Sequence, residues 1–174
     1  MKTSCGVPVA NLMLLAACLI FLAVSCVPSH RVVMSEYTQR PPSCGPSEYP
    51  ARGETSLLFR TYAGELLYQI SPAIETIVAH KLCGDSNLAR QLDNGSLRVI
   101  ITGINPEFGR KWAGFDIMLG YSGYMLVNGN ARPFNVSTMQ RVPGNLEAKK
   151  LGPVIEESTE QFAAEIARLI SGTP

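Results

Sequence analysis

The sequence predicts a single α+β domain, a two-layer sandwich in which two helices pack on one face of a mixed, mainly antiparallel four-stranded sheet. Three observations carry this. Residues 97–141 alternate apolar and polar side chains through three consecutive stretches, 97–104, 115–127 and 131–141, the period of half-buried strands. Apolar stripes at helical spacing lie on either side, over 66–82 and 155–170. With one amphipathic face on each element, all faces are buried at once when both helices cover the same side of the sheet.

The elements begin behind a leader. Residues 1–26 carry one charge, Lys2, then an uncharged apolar stretch over 12–24 that ends in Ser25-Cys26. A short basic start followed by an apolar run is the pattern of an export signal. From Val7 to Val27 there is no charge, over about the length a spanning helix needs, but Pro8 and Asn11 count against a span. Leu22-Ala23-Val24-Ser25-Cys26 resembles the lipobox of bacterial lipoproteins, whose cysteine is acylated and becomes the mature N-terminus. Leu15-Ala16-Ala17-Cys18 resembles it too. A cut before Cys26 leaves a polar mature start, whereas a cut before Cys18 leaves residues 19–24 as an apolar tail beside the lipid. Cys26 is therefore the expected lipidation site and Cys18 the second candidate. Neither is followed by Asp, which in proteobacterial lipoproteins implies sorting to the outer membrane, on its periplasmic face. The other reading is a secreted protein cut near Ser25, for which Asn94-Gly-Ser and Asn135-Val-Ser would be glycosylation sequons in a eukaryotic host.

The rest of the chain supports one domain. Of 174 residues 46% are apolar and 17% charged, a globular balance of a size that builds one core. Without Lys2 the 15 basic residues become 14, against 14 acidic ones, so the mature chain is formally neutral. That argues against a general nucleic-acid binder, which needs a basic face to release counterions from phosphates, and leaves room for a local anion site. Cys44 and Cys83 are the two cysteines outside the leader. In an exported protein they are expected to form a disulfide, closing a loop of about 40 residues and contributing about 3–4 kcal/mol; the alternative is two independent buried thiols. Neither belongs to a Cys-x-x-Cys pair and there is no His-x-x-x-His in the chain, so no metal site is expected.

Residues 27–53 hold Pro28, Pro41, Pro42, Pro46 and Pro50 and are expected to form a flexible tether, with at most one short strand near 31–34. His30 within it is expected to be solvated. The folded domain spans 54–174, beginning with a strand over 55–62 in which Leu57, Phe59 and Thr61 share one face. Over 64–81, Leu66, Leu67, Ile70, Ile74, Ile77, Val78 and Leu82 predict a helix, which either starts at Pro72 with Ser71 as its cap or is kinked there. His80 points away from that stripe and is expected to be solvated. Cys83-Gly84 ends the helix, and a polar connection leads to Asp93-Asn94-Gly95. In the long strand over 115–127, Gly120 and Gly123 are candidates for a bulge or sharp twist. Asn128-Gly129 is a hairpin turn. Gly152-Pro153 opens the last helix, whose Glu156, Glu157 and Glu160 suit the positive N-terminal end and whose Arg168 suits the other.

With the lipobox in front, this order of elements and the long hairpin strands resemble the small outer-membrane lipoproteins of the lipopolysaccharide-assembly type, and the YajG-type lipoproteins, over residues 55–171. The resemblance implies a non-enzymatic helper attached to the membrane by its lipid and contacting an outer-membrane protein or lipopolysaccharide. No functional residue is carried over from it.

No catalytic residue or cofactor is indicated. Both histidines sit in bland settings, and the sequence has no Gly-x-Ser-x-Gly, no phosphate-binding glycine loop and no His-Glu-x-x-His. The segment expected to carry function is the loop 105–114, where Phe108 and Trp112 surround Arg110 and Lys111. Basic and aromatic side chains together at a loop tip can hold an anionic headgroup or anchor in a partner's pocket. The alternative is that Trp112 folds back over the end of the sheet. Lys149-Lys150 is expected to be solvent-facing loop. A periplasmic enzyme or small-ligand carrier is the competing function, and a deep pocket lined by charged groups would favour it.

Overall fold

The computed structural model of the chain describes residues 29–38, 42–45, 53–61, 64–111, 114–144 and 147–172, without the side chains of 110 and 111. The class is α+β. In chain order the described elements are β1 Ser29–Val33, α1 Ser35–Thr38, β2 Thr55–Thr61, β3 Gly64–Ser71, α2 Ile74–Gly84, α3 Ser86–Asp93, β4 Leu97–Lys111, β5 Gly114–Val127, β6 Asn130–Pro143 and α4 Ala148–Ser171. The strands form two three-stranded sheets, ordered β1-β3-β2 and β4-β5-β6, where the sequence predicted one sheet of four strands and two helices. The end strands β2 and β4 lie near each other, with no ladder between them.

Much of the difference comes from residues 64–71. They were expected to begin a helix, yet β3 pairs antiparallel with β2 and parallel with β1. Leu66 and Ile70 are four apart, a spacing that one helical turn and two strand repeats share. Tyr68, buried between them, satisfies only the strand period. The helix therefore starts after Pro72, with Ala73 as its N-cap, and keeps the expected stripe: Ile74, Ile77, Val78 and Leu82 are all buried.

The segment expected to be a tether contributes β1. Val32 and Met34 are buried in the core, and Val32 lies beside Ile70 in the parallel register. This part of residues 27–53 therefore belongs to the folded domain. Helix α3 was read as a polar connection. Asp85 caps it by accepting from the backbone N–H of Asn87 at 2.8 Å and of Leu88 at 3.1 Å, and Leu88 and Leu92 are buried. Helix α4 starts at Ala148 and not at Gly152, because fully buried Leu151 holds the extra turn on the core in spite of Pro153.

The β4-β5-β6 meander matches the predicted strands at its centre and exceeds them at one end. Asn128 and Gly129 take φ of 49° and 80°, as a tight two-residue hairpin requires. On β5, Ile117, Leu119, Tyr121 and Met125 are buried, and on β6 Phe134, Val136, Thr138 and Val142. Helix α4 packs on these strands, on β1 and on α2, so the buried residues of both sheets and the helices make one cluster. The opposite face is open, with Ser122, Tyr124, Asn135, Ser137, Met139 and Arg141 exposed. No helix among the described residues is long and apolar enough to cross a membrane.

Candidate binding surface

Residues 105–111, expected in a loop, are strand. In the ladder Pro106 lies opposite Leu119, Phe108 opposite Ile117, Arg110 opposite Phe115 and Lys111 opposite Gly114. The register shifts between Ile101 and Gly103, so Thr102 is an extra residue and the inward parity changes from Leu97, Val99 and Ile101 to Ile104, Pro106 and Phe108. A proline is tolerated here because β4 ends its sheet, where a strand can lack one donor.

Of the predicted cluster of basic and aromatic groups, Phe108 therefore lies within a strand and not in a loop. Phe108 is half-buried, with its ring 4.5 Å from that of Phe115 and 6.4 Å from that of Phe59. It packs inside the protein. Arg110 and Lys111 occupy the end of β4, and Trp112 lies outside the described residues. Cys18 and Cys26 lie outside them as well.

What the predicted segment does form is one wall of a groove. Asn105 and Glu107 of β4 and Ser56, Leu58 and Arg60 of β2 line a cleft of about 520 Å³, together with Phe108. Leu58 is 37% exposed, an apolar side chain on the outward row of a strand that buries its neighbours Leu57 and Phe59. Arg60 contacts Glu65 at 3.3 Å, and its side chain remains 83% exposed. The groove thus brings an apolar side chain, a guanidinium and a carboxylate to one cleft. Sequence reading missed the β2 half of it. The signal was the outward parity Ser56-Leu58-Arg60, in which a leucine occupies a solvent position.

A second polar group links α1 to the two long helices. The Tyr37 hydroxyl donates to Glu156 Oε1 at 2.9 Å, and Lys81 Nζ lies 3.2 Å from the same oxygen and 3.5 Å from Glu160. Lys81 also sits 5.8 Å from the centre of the Tyr37 ring. Hydrogen bonds from Tyr37 and then Lys81 hold the Glu156 carboxyl below its usual range. Burial, then the hydrogen bond to Glu156, raises the Tyr37 phenol. Burial works against the Lys81 ammonium, but Tyr37 and Glu156 outweigh it and its pKa is raised. Because α4 begins at Ala148, Glu156 lies beyond the first turn, and its two partners explain it better than the helix dipole does. His80 was expected to be solvated. It is half-buried, edge-on to Tyr37 at 5.4 Å, with Nε2 sheltered and without a hydrogen-bond partner. His30 is exposed on β1 and stacks on Tyr68 at 5.2 Å. Lys149 pairs with Glu147 at 2.8 Å, and Lys150 Nζ donates to the Pro143 carbonyl at 3.0 Å.

Inside the core, the Tyr121 hydroxyl and Ser158 Oγ are 2.8 Å apart, and Thr138 Oγ1 bonds to the same serine and to the Leu119 carbonyl. Burial pushes the Tyr121 phenol up to about 12. This trio ties β5 and β6 to α4. Cys44 and Cys83 are joined in a disulfide with Cα atoms 5.5 Å apart, and the backbone N–H of Gly45 donates to Asp93 Oδ1 at 2.9 Å beside it. Among the described residues no three His, Cys, Asp or Glu side chains come together to hold a metal ion. Comparison with known proteins returns no match, neither a family model nor a curated protein.

Proposed function

We propose that the chain is an exported, lipid-anchored protein of the cell envelope that acts without catalysis, as a binding or assembly module for an outer-membrane protein or for lipopolysaccharide. Two features support the address. The lipobox-like run ending at Cys26 would supply the anchor, and a Cys44–Cys83 disulfide suits an oxidising compartment. The observation that carries the binding role is the groove between β2 and β4, where exposed Leu58 lines the same cleft as Arg60 and Glu107. An apolar anchor point flanked by a bidentate cation and an acid is the kind of surface on which a partner side chain, or the acyl and phosphate groups of a glycolipid, can dock.

The competing reading, a periplasmic enzyme or small-ligand carrier, finds its best support at the groove of about 510 Å³ between β1 and α4, which Glu156 lines. There the carboxylate is already engaged by Tyr37 and Lys81, so a ligand would have to displace a formed hydrogen bond.

Leu58→Asp combined with Glu107→Lys tests the proposal. Wild-type protein should retain purified lipopolysaccharide, or an outer-membrane protein recovered from envelope membranes, and the double variant should lose it with an unchanged melting temperature. Retention undiminished in the variant would reject the groove.

A further inference from the structure

We infer that the end of the β2–β3 pair that carries Arg60, Thr61, Gly64 and Glu65 rests on the lipid headgroups of the leaflet that holds the anchor, so that the domain stands end-on to the bilayer with no spacer beneath it. The inference rests on acylation at Cys26.

The argument is one of reach. Two residues, Val27 and Pro28, separate Cys26 from Ser29, the first residue of β1. Three Cα–Cα steps cover at most about 10–11 Å. Ser29 cannot lie farther than that from the acylated residue.

The sheet extends past Ser29 in the same direction. Strand β1 is parallel to β3 and enters opposite Leu67, whereas β3 begins at Gly64 and β2 runs to Thr61 opposite it. The hairpin therefore overhangs the start of β1 by three residues of β3, again about 10 Å. The overhang matches the longest possible lead. With the strands along the bilayer normal, a domain tethered this closely brings Thr61 and Gly64 to the level of the anchor.

The side chains at that end suit a bilayer surface. On the outward face, Leu58 and Leu67 lie opposite each other in the row that begins at Ser29, and Arg60 and Glu65 form the next row out. An exposed arginine beyond two partly exposed leucines can keep its head among phosphates while its stem covers apolar surface. The groove between β2 and β4 includes Arg60, so whatever docks there is met at headgroup level.

Acylated full-length protein in vesicles of phosphatidylethanolamine and phosphatidylglycerol tests this. With Cys26 acylated and Cys44 bonded to Cys83, a fluorophore can be placed on a unique thiol at Thr61→Cys or, as control at the other end of β1, at Val33→Cys, a residue 58% exposed. Vesicles carrying headgroup nitroxides should abolish most of the fluorescence at 61 and leave 33 nearly unchanged. A Gly-Ser insertion of about ten residues between Pro28 and Ser29, which lengthens the reach to about 45 Å, should restore the signal at 61. Flotation of the protein with vesicles and the mass of its mature N-terminus report the anchor separately. Flotation with neither label quenched, or with both quenched equally, overturns the end-on contact and leaves the anchor standing. Acylation at Cys18, or no flotation, overturns both the anchor at Cys26 and the orientation built on it.

Discussion

Glu156 and Tyr121 represent two ways in which α4 binds polar groups from the rest of the protein. Glu156 sits at the rim and gathers Tyr37 and Lys81, tying the short α1 to the body. Tyr121 is fully enclosed, and its hydroxyl has a partner in Ser158, which also bonds Thr138. Replacing Tyr121 by Phe leaves the Ser158–Thr138 bond intact, so the loss at neutral pH should be about 0.5–1.5 kcal/mol in a denaturant titration. The alkaline limb is the sharper readout. The phenol is held at about 12 in the fold against an ordinary 10.0, so its contribution is fully present below pH 10.0 and is lost as pH rises toward 12. Tyr121→Phe should therefore lose stability less steeply than wild type across that window. Parallel curves would mean that the phenol ionises alike in both states.

At the scale of elements, the two glycines singled out on β5 have different tasks. A Cβ on Gly123 would meet the Ile100 carbonyl oxygen at 2.1 Å and the Phe134 ring at 2.9 Å, whereas one on Gly120 meets nothing nearer than 3.6 Å. Gly123→Ala should cost about 1–3 kcal/mol, as overpacking against backbone does, and Gly120→Ala much less. A thermal melt of the two variants side by side checks this. The meander was legible because Phe115, Ile117, Leu119, Tyr121, Met125 and Val127 keep one parity over the whole strand. The hairpin at Asn128 was legible because those two residue types tolerate positive φ. Strand β4 beyond Ile104 was not, because the extra residue at Thr102 flips its parity and Pro106 and Gly109 then resemble loop. Strand β3 was hidden by the four-residue spacing of Leu66 and Ile70, which serves both periods. The candidate site was legible only by half: the 105–108 segment stands out for its aromatic and basic neighbours, but Leu58, on the outward parity of β2, was not singled out. Composition showed which residues were unusual for their setting, but only pairing showed which of them meet.

For the whole molecule, the disulfide joins residues 39 apart, fastening the segment after α1 to the end of α2. The chain-entropy account predicts that Cys44→Ser with Cys83→Ser lowers stability by about 3–4 kcal/mol, read from the denaturation midpoint at constant slope. A much smaller drop would mean that the unfolded chain is already confined there by other contacts. Strand β1 has a further consequence. It is the first described element, and it lies parallel to β3 through five consecutive pairs from Ser29 to Val33. A pull on the chain ahead of Ser29 is directed along the strand, so it loads the bonds of that ladder together in shear and cannot peel them one at a time. An edge strand of five residues placed this way would be a mechanical fastening, able to bear tension that the same bonds in a hairpin pulled from its open end would not.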